Sequence, residues 1–335
     1  MRAMVLHAPG PVGSSPLSLE TLPEPELRDD EILVDVSVCG ICRTDLHVIE
    51  GELAPRSDRV VPGHQVVGRV VASGAAVRRF AEGDRVGIAW LHRSCGRCAE
   101  CLARRENLCR APVFTGWHVD GGYAERVRVP AEFAYAIPDV FNDAEAAPLL
   151  CAGIIGYRAL RRSRVGRGER LGLYGFGSSA HLCLQVARHR GAEVYVCTRD
   201  VRARELALEL GAVWAGGADE RPPVALNGSI LFAPVGELVL PALEALAPGG
   251  TLACAGIHMS AIPALDYAKH LFDERTLTSV TANTRQDGVE LLELAAEIPL
   301  RPHTTEFPLE DANQALRQLA EDGIRGSGVL RVSDG

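Results

Sequence analysis

The chain has no uninterrupted apolar run of membrane-spanning length. Its first residues, Met-Arg-Ala-Met-Val-Leu-His-Ala-Pro-Gly, contain no apolar core leading to a small-residue cleavage site. Both absences argue against a membrane partner and a secretion signal, so a cytoplasmic protein is expected. Nor is there a run of like charges long enough for a basic arm or an acidic tail, and a formal net charge of −8 disfavours a nucleic-acid partner. Internal repeats, linkers and low-complexity segments are missing too. What remains is an ordinary globular composition, 335 residues with 47% hydrophobic and 23% charged, long enough for two domains that each bury a core. The expected partner is a small molecule.

Ten cysteines in a cytoplasmic chain read as metal ligands rather than disulfides. Cys95, Cys98, Cys101 and Cys109 follow a C-x2-C-x2-C-x7-C spacing in a loop rich in Gly and Arg, so four soft donors can close on one tetrahedral ion. An iron–sulfur cluster or a redox pair would use similar residues, but no Pro follows the fourth Cys and no second cluster motif exists. With sulfur in every position the site is closed, and its role is to pin a loop.

A second polar cluster, Cys39-Gly-Ile-Cys42-Arg43-Thr44-Asp45-Leu-His47, follows the β-branched run Ile32 to Val38, where a buried strand should end. Cys39 reads as a small buried hydrophobe. Cys42 offers a thiolate, and His64, just beyond Val60-Val61-Pro62-Gly63, offers an imidazole. A catalytic zinc takes three protein ligands and keeps one position open. Cys151 is the natural third candidate, because it lies at a break between two helical pieces that should mark a domain junction, where clefts form.

Residues 1 to 150 alternate short β-rich runs with Gly- and Pro-marked turns, and residues 284 to 335 look like a return to that domain. Residues 151 to 283 read as α/β, a doubly wound dinucleotide-binding domain. Within it Arg170 to Tyr174 is a strand, Gly175-Phe176-Gly177-Ser178-Ser179-Ala180 opens a helix ending at Gly191, and Glu193 to Thr198 is the next strand. This is the G-x-G-x-x-A fingerprint, in which the first Gly turns tightly, the second admits pyrophosphate and the small third residue lets helix pack on strand. An NAD enzyme usually carries an acidic residue at the end of the second strand, but here Thr198-Arg199 stands there, which favours a 2′-phosphate and hence NADP(H) over NAD(H). Arg202 and Arg204 could add to the field, while a one-residue shift would let Asp200 take the ribose role. Later units place a strand at Val213 to Ala215 and another at Ser229 to Ala233. A helix follows at Glu237 to Leu246, then a turn at Pro248-Gly-Gly and strands at Thr251 to Ala255 and Ser279 to Ala282. Helices at Gly288 to Glu297 and Leu309 to Asp322 precede a closing strand, Gly328 to Val332. Cofactor-facing loops are expected at Phe232-Ala233 and Ala255-Gly256-Ile257.

Taken together, these motifs make the chain resemble, over essentially its whole length, the zinc-containing alcohol dehydrogenases of the medium-chain dehydrogenase/reductase superfamily. The resemblance implies a GroES-like catalytic domain beside a Rossmann domain. It implies a catalytic zinc on Cys42, His64 and Cys151 and a structural zinc on Cys95, Cys98, Cys101 and Cys109. Arg43 would meet the cofactor pyrophosphate, and Asp45 would orient His64. Thr44 would pass the substrate proton through the nicotinamide ribose to His47. Trp90 and Leu91 would line the pocket for an alcohol or aldehyde, their bulk favouring unbranched primary substrates, and a homodimer or homotetramer would be expected.

Three positions depart from the family pattern. Gln65 replaces a usual Glu, which removes a charge beside the metal and should slow ligand exchange. Ile155 replaces a usual Thr near the nicotinamide, and Ser327 a common Arg. Against the dehydrogenase reading stands a zinc- and dinucleotide-binding sensor or scaffold without turnover, supported by Gln65 and Ile155; within the enzyme class a polyol dehydrogenase is the alternative. A quinone reductase shares the fold but lacks the seven metal donors.

Overall fold

The strand Glu31–Ile41 is the centre of the first half of the chain, and it is buried along almost its whole length. Its near-continuous apolar run follows from being covered on both faces; Ile32, Val34 and Val36 are each fully buried and contribute about 2 kcal/mol apiece. It pairs antiparallel with Val66–Ser73, with Arg126–Pro130 and with Ser327–Arg331. The computed structural model describes residues 1–298 and 300–333. It divides into two compact units, one of Met1–Cys151, Ala282–Ala296 and Arg301–Gly335, the other of Ala152–Thr281 with Glu297–Leu300. Cys151 closes the first unit, whereas the sequence reading opened the second with it.

In the first unit a seven-stranded sheet ends on Thr304–Pro308, which runs parallel to Ser327–Arg331. The sequence did not suggest that strand, because Thr-Thr-Glu-Phe-Pro is largely exposed at the sheet edge and shows no clear alternation. A short ladder pairs Leu91–Arg93 with Val113–Phe114, so the four-cysteine loop is an excursion closed at its base by two strands. The expected helix Leu309 to Asp322 is a 3-10 turn, Leu309–Asp311, followed by a helix, Ala312–Ala320.

The second unit is a six-stranded parallel sheet. Its strands are β1 (Arg170–Tyr174), β2 (Glu193–Cys197), β3 (Trp214–Gly216), β4 (Leu226–Leu231), β5 (Leu246–Cys254) and β6 (Thr276–Ser279), in the order β3-β2-β1-β4-β5-β6. This is the doubly wound order whose crevice lies at the carboxyl ends of the strands. Two expectations need correction. The helix read as Glu237 to Leu246 is confined to Val239–Glu244, and Pro248-Gly249-Gly250 is a bulged part of β5 instead of a turn. Against β4 the register passes from Leu226↔Leu246 to Gly228↔Thr251, and Gly249 absorbs the excess at φ +76°. The last strand ends at Ser279 instead of beginning there. Among the described residues no helix is long and apolar enough to cross a membrane.

Candidate metal and cofactor sites

Strand register brings the first donors together. Cys39 pairs with Val66, and the Gly40 N–H donates to the Gln65 carbonyl at 2.9 Å, so Cys42 at the end of one strand lands beside His64 at the start of the next. Cys151 arrives at the end of the 3-10 turn Ala147–Leu150, immediately before the helix Ala152–Ser163. The three ligand atoms lie within 4.8 Å of one another, with Cys42 Sγ 3.3 Å from His64 Nε2 and 4.0 Å from Cys151 Sγ. Tetrahedral zinc with bonds of about 2.3 Å to sulfur and 2.0 Å to nitrogen separates its ligands by about 3.5 to 3.8 Å. The donor set therefore fits that ion.

Asp45 supports two of these ligands at once. In the helix Arg43–Ile49 one carboxylate oxygen accepts the Cys42 N–H at 2.8 Å, capping the helix, while the other lies 3.2 Å from His64 Nδ1, close but not aligned as a linear hydrogen bond. Both side chains are buried. Burial alone would lower the His64 pKa, but the charges of Asp45 and Cys42 outweigh it and hold the imidazole at about 10. The hydrogen bond shared with Cys151, and burial, push the Cys42 thiol up. A divalent cation displaces such protons on binding. Gly63 is required on backbone grounds, with φ +98° and the Tyr123 ring 2.4 Å from where a Cβ would stand.

The four thiols of the second cluster also lie within 4.8 Å, with Cys98 and Cys95 sulfurs 3.5 and 3.9 Å from that of Cys101. Backbone N–H groups point at them: Cys95 and Ala111 donate to Cys109 Sγ at 3.3 and 3.4 Å. Hydrogen bonds from the Arg97 and Cys98 N–H groups draw the Cys95 pKa down to about 6, the Cys101 N–H lowers Cys98, and burial raises Cys101 to about 11. The loop itself thus favours the thiolate at Cys95 and Cys98 and disfavours it at Cys101.

Thr44 and His47 share one helix at i, i+3 spacing, and His47 Nδ1 contacts the carboxylate of Glu52, a partner the sequence reading did not find. The Arg43 guanidinium, half-exposed, pairs with Asp322. Trp90 meets the His64 ring edge-on at 4.8 Å and stacks on Phe114 at 4.9 Å and Trp117 at 6.0 Å, all three planes within 15° of parallel. Leu91, expected to line the pocket, is 2% exposed and belongs to the core that Trp90 only packs against from its edge. Phe114 and Trp117 were missed since only folding of the cysteine loop returns them to Trp90. Gln65 is buried with its amide nitrogen unpartnered among the described residues.

In the second unit, Gly175 turns at φ +86° under Ala233, whose backbone nitrogen a Cβ would meet at 2.9 Å. Gly177 caps the helix Ser178–His189, and a Cβ there would touch nothing, leaving room for a group at the helix N-terminus. Phe176 is buried, Ser178 and Ser179 open the helix, and Ala180 is fully buried. Thr198 is buried at the end of β2, and Arg199 beside it is exposed. Asp200 caps the helix Val201–Glu209 by accepting the Arg202 N–H at 2.9 Å, and Arg204 lies 3.9 Å from Glu220. Phe232 and Ala233 follow β4, while Ala255, Gly256 and Ile257 follow β5, all at carboxyl ends.

Comparison with known proteins agrees with both halves. The family model of the alcohol dehydrogenase GroES-like domain matches residues 28–139, and that of the zinc-binding dehydrogenase matches residues 228–330. A Mycobacterium tuberculosis (strain CDC 1551 / Oshkosh) protein named "Probable alcohol dehydrogenase AdhA" is 52% identical over 337 residues, covering 99% of this chain and 97% of that protein. An alcohol dehydrogenase of Geobacillus stearothermophilus is 34% identical over 328 residues, 95% of this chain and 96% of that one. Among solved structures, a cinnamyl alcohol dehydrogenase of Sorghum bicolor superimposes with a TM-score of 0.91 at 27% identity, covering 100% of this chain and 98% of the other. On these matches the chain belongs to the zinc-type alcohol dehydrogenases of the medium-chain dehydrogenase/reductase superfamily.

Proposed function

We propose that the protein interconverts a primary alcohol and its aldehyde with NADP(H), using a catalytic zinc on Cys42, His64 and Cys151 and a structural zinc on the four-cysteine loop. The observation that carries this reading is the convergence of two thiols and an imidazole, with Asp45 touching both Cys42 and His64. Zinc in that pocket would supply Lewis-acid stabilisation of charge on the substrate oxygen, and the nicotinamide would exchange hydride with the substrate carbon. The residues do the rest. Asp45 fixes the His64 ring. The Thr44 hydroxyl takes the alcohol proton, and His47, one turn on and held by Glu52, serves as the base toward solvent. Arg43 offers a cation for pyrophosphate.

The dinucleotide lies on the turn Gly175–Ala180, with the strand-end loops Phe232-Ala233 and Ala255–Ile257 beside it. Preference for the 2′-phosphate rests on Arg199, exposed just past the end of β2, while Asp200 beside it caps the next helix through one carboxylate oxygen. Arg199→Asp is expected to lower kcat/KM for NADPH about 100-fold, the value of one charge-assisted contact, while NADH turnover holds or rises. Equal losses with both cofactors would remove the assignment.

The substrate's hydrocarbon part packs along Trp90, Phe114 and Trp117. Trp90→Ala is expected to raise KM for benzyl alcohol about tenfold with a smaller change in kcat, from lost ring burial. Branched ketones turned over as fast as primary aldehydes would argue against this pocket. The ten cysteines are all unpaired, which supports a cytoplasmic location, and a homodimer or homotetramer is the assembly proposed.

A further inference from the structure

Arg43 and Asp322 meet where two helices end. Arg43 is the first residue of the helix Arg43–Ile49, and Asp322 lies two residues past the helix Ala312–Ala320, where the Gly323 N–H returns to the Gln318 carbonyl at 2.8 Å. Leu46 and Ile49 of the first helix share a hydrophobic core with Ala312, Ala315 and Leu316 of the second, so packing fixes the backbones that carry the two charges. The guanidinium donates to one oxygen of the Asp322 carboxylate. Each charge stands against its local preference. The first turn of a helix favours an anion, and the chain leaving the last turn favours a cation. Asp322 also holds φ +55°, a left-handed backbone that glycine adopts at no steric cost. An ion pair with both members half-exposed contributes little to stability in return. Local rules broken without such a gain mark a position kept for function.

We infer that Asp322 is a positioning residue for cofactor exchange, its carboxylate holding the Arg43 guanidinium while the site is free and competing with the pyrophosphate for it when the dinucleotide binds. The role rests on the assignment of Arg43 to the pyrophosphate proposed above. A carboxylate brings one negative charge and a pyrophosphate two, so the guanidinium passes to the cofactor on binding, less the free energy of the pair it gives up. The carboxylate stays nearby as a like charge, which loosens the bound dinucleotide and speeds its release.

The test follows NADPH binding to the zinc-loaded enzyme by nicotinamide fluorescence in Asp322→Asn and Asp322→Gly, two residues that suit a left-handed backbone and lack the charge. In each variant Kd for NADPH should fall about fivefold, which is about 1 kcal/mol, and release in stopped flow should slow. Damage to the fold weakens binding, so the sign alone separates this role from a structural one. Affinity for adenosine 2′-phosphate, which has no pyrophosphate, should stay at the parent value. Arg43→Gln should weaken NADPH binding, and Asp322→Asn should then add nothing. The role of Asp322 would be overturned by unchanged or weaker NADPH binding in either variant, by equal tightening of adenosine 2′-phosphate, or by the same gain in the Arg43→Gln background. Parent affinity for NADPH in Arg43→Gln alone would overturn the pyrophosphate assignment and this role with it.

Discussion

Serine in place of Cys42 is expected to leave one zinc per chain instead of two and to lower kcat/KM about a thousandfold or more. The magnitude follows from the several kcal/mol that a Lewis acid contributes to charge on the reacting oxygen, each 1.4 kcal/mol being a factor of ten in rate. A serine hydroxyl is a hard and weakly acidic ligand at a position where zinc prefers thiolate. The remaining pair, His64 and Cys151, offers two donors where a catalytic site needs three. Elemental analysis and steady-state kinetics on the same preparation check both halves. Two zinc ions retained, with turnover intact, would remove Cys42 from the site. Because the Cys42 backbone N–H still reaches Asp45, the helix cap survives, and melting behaviour should stay close to that of the parent enzyme.

Cys98→Ser should act on stability instead. The four-cysteine loop has almost no core of its own: Leu102 and Leu108 are 73% and 44% exposed, and Cys109, Glu106 and Asn107 are its buried residues. What holds it is the ladder Leu91–Arg93 with Val113–Phe114 and the bonds from Arg285 to Glu106 at 2.9 and 3.3 Å, to which the proposed structural zinc would add. A structural zinc contributes folding free energy directly, by as much as about 10 kcal/mol, against a whole-domain stability of about 5 to 15 kcal/mol. Even partial loss should lower Tm by about 10 °C or more. Trypsin should then cut at Arg104 and Arg105 before the rest of the chain. A variant that melts with the parent and resists cleavage there would show the loop to be held by its protein contacts alone.

How legible each site was depended on how local its residues are. The four-cysteine loop closes on itself within Cys95 to Cys109, and the glycine turn Gly175 to Ala180 is contiguous, so spacing alone exposes both. Cys42, His64 and Cys151 are separated in the chain, yet each follows a strand or helix end that the pattern marks. Side-chain direction was harder. Leu91 turned inward where Trp90, just before the strand, faces His64, a distinction that a strand of three residues is too short to announce in the pattern. Phe114, Trp117 and Tyr123 reach the first site through strand pairing and loop closure, which no local window contains; Glu52 lies just past the helix that carries His47, but nothing in its own spacing marks it out among the exposed acids. The strand Thr304–Pro308 exists because Ser327–Arg331 offers it a partner, and the extra residues of β5 are visible only against the register of β4.

The two units differ in when they can be finished. The nucleotide-binding sheet is drawn from a single contiguous stretch, its last strand ending at Ser279, so every strand it needs has been synthesised while more than fifty residues are still to come. The sheet around Glu31–Ile41 has an edge filled by Ser327–Arg331, close to the end of the chain. During translation, then, the Val38–Ile41 end of the strand that delivers Cys42 waits without its Ser327–Arg331 partner, although Glu31–Asp35 can already pair with Arg126–Pro130, while the later-encoded sheet is already able to fold. Truncation by even ten residues from the C-terminus would take away that edge and should leave a nascent chain in which the nucleotide-binding unit is native and the metal-bearing sheet is a client for chaperones.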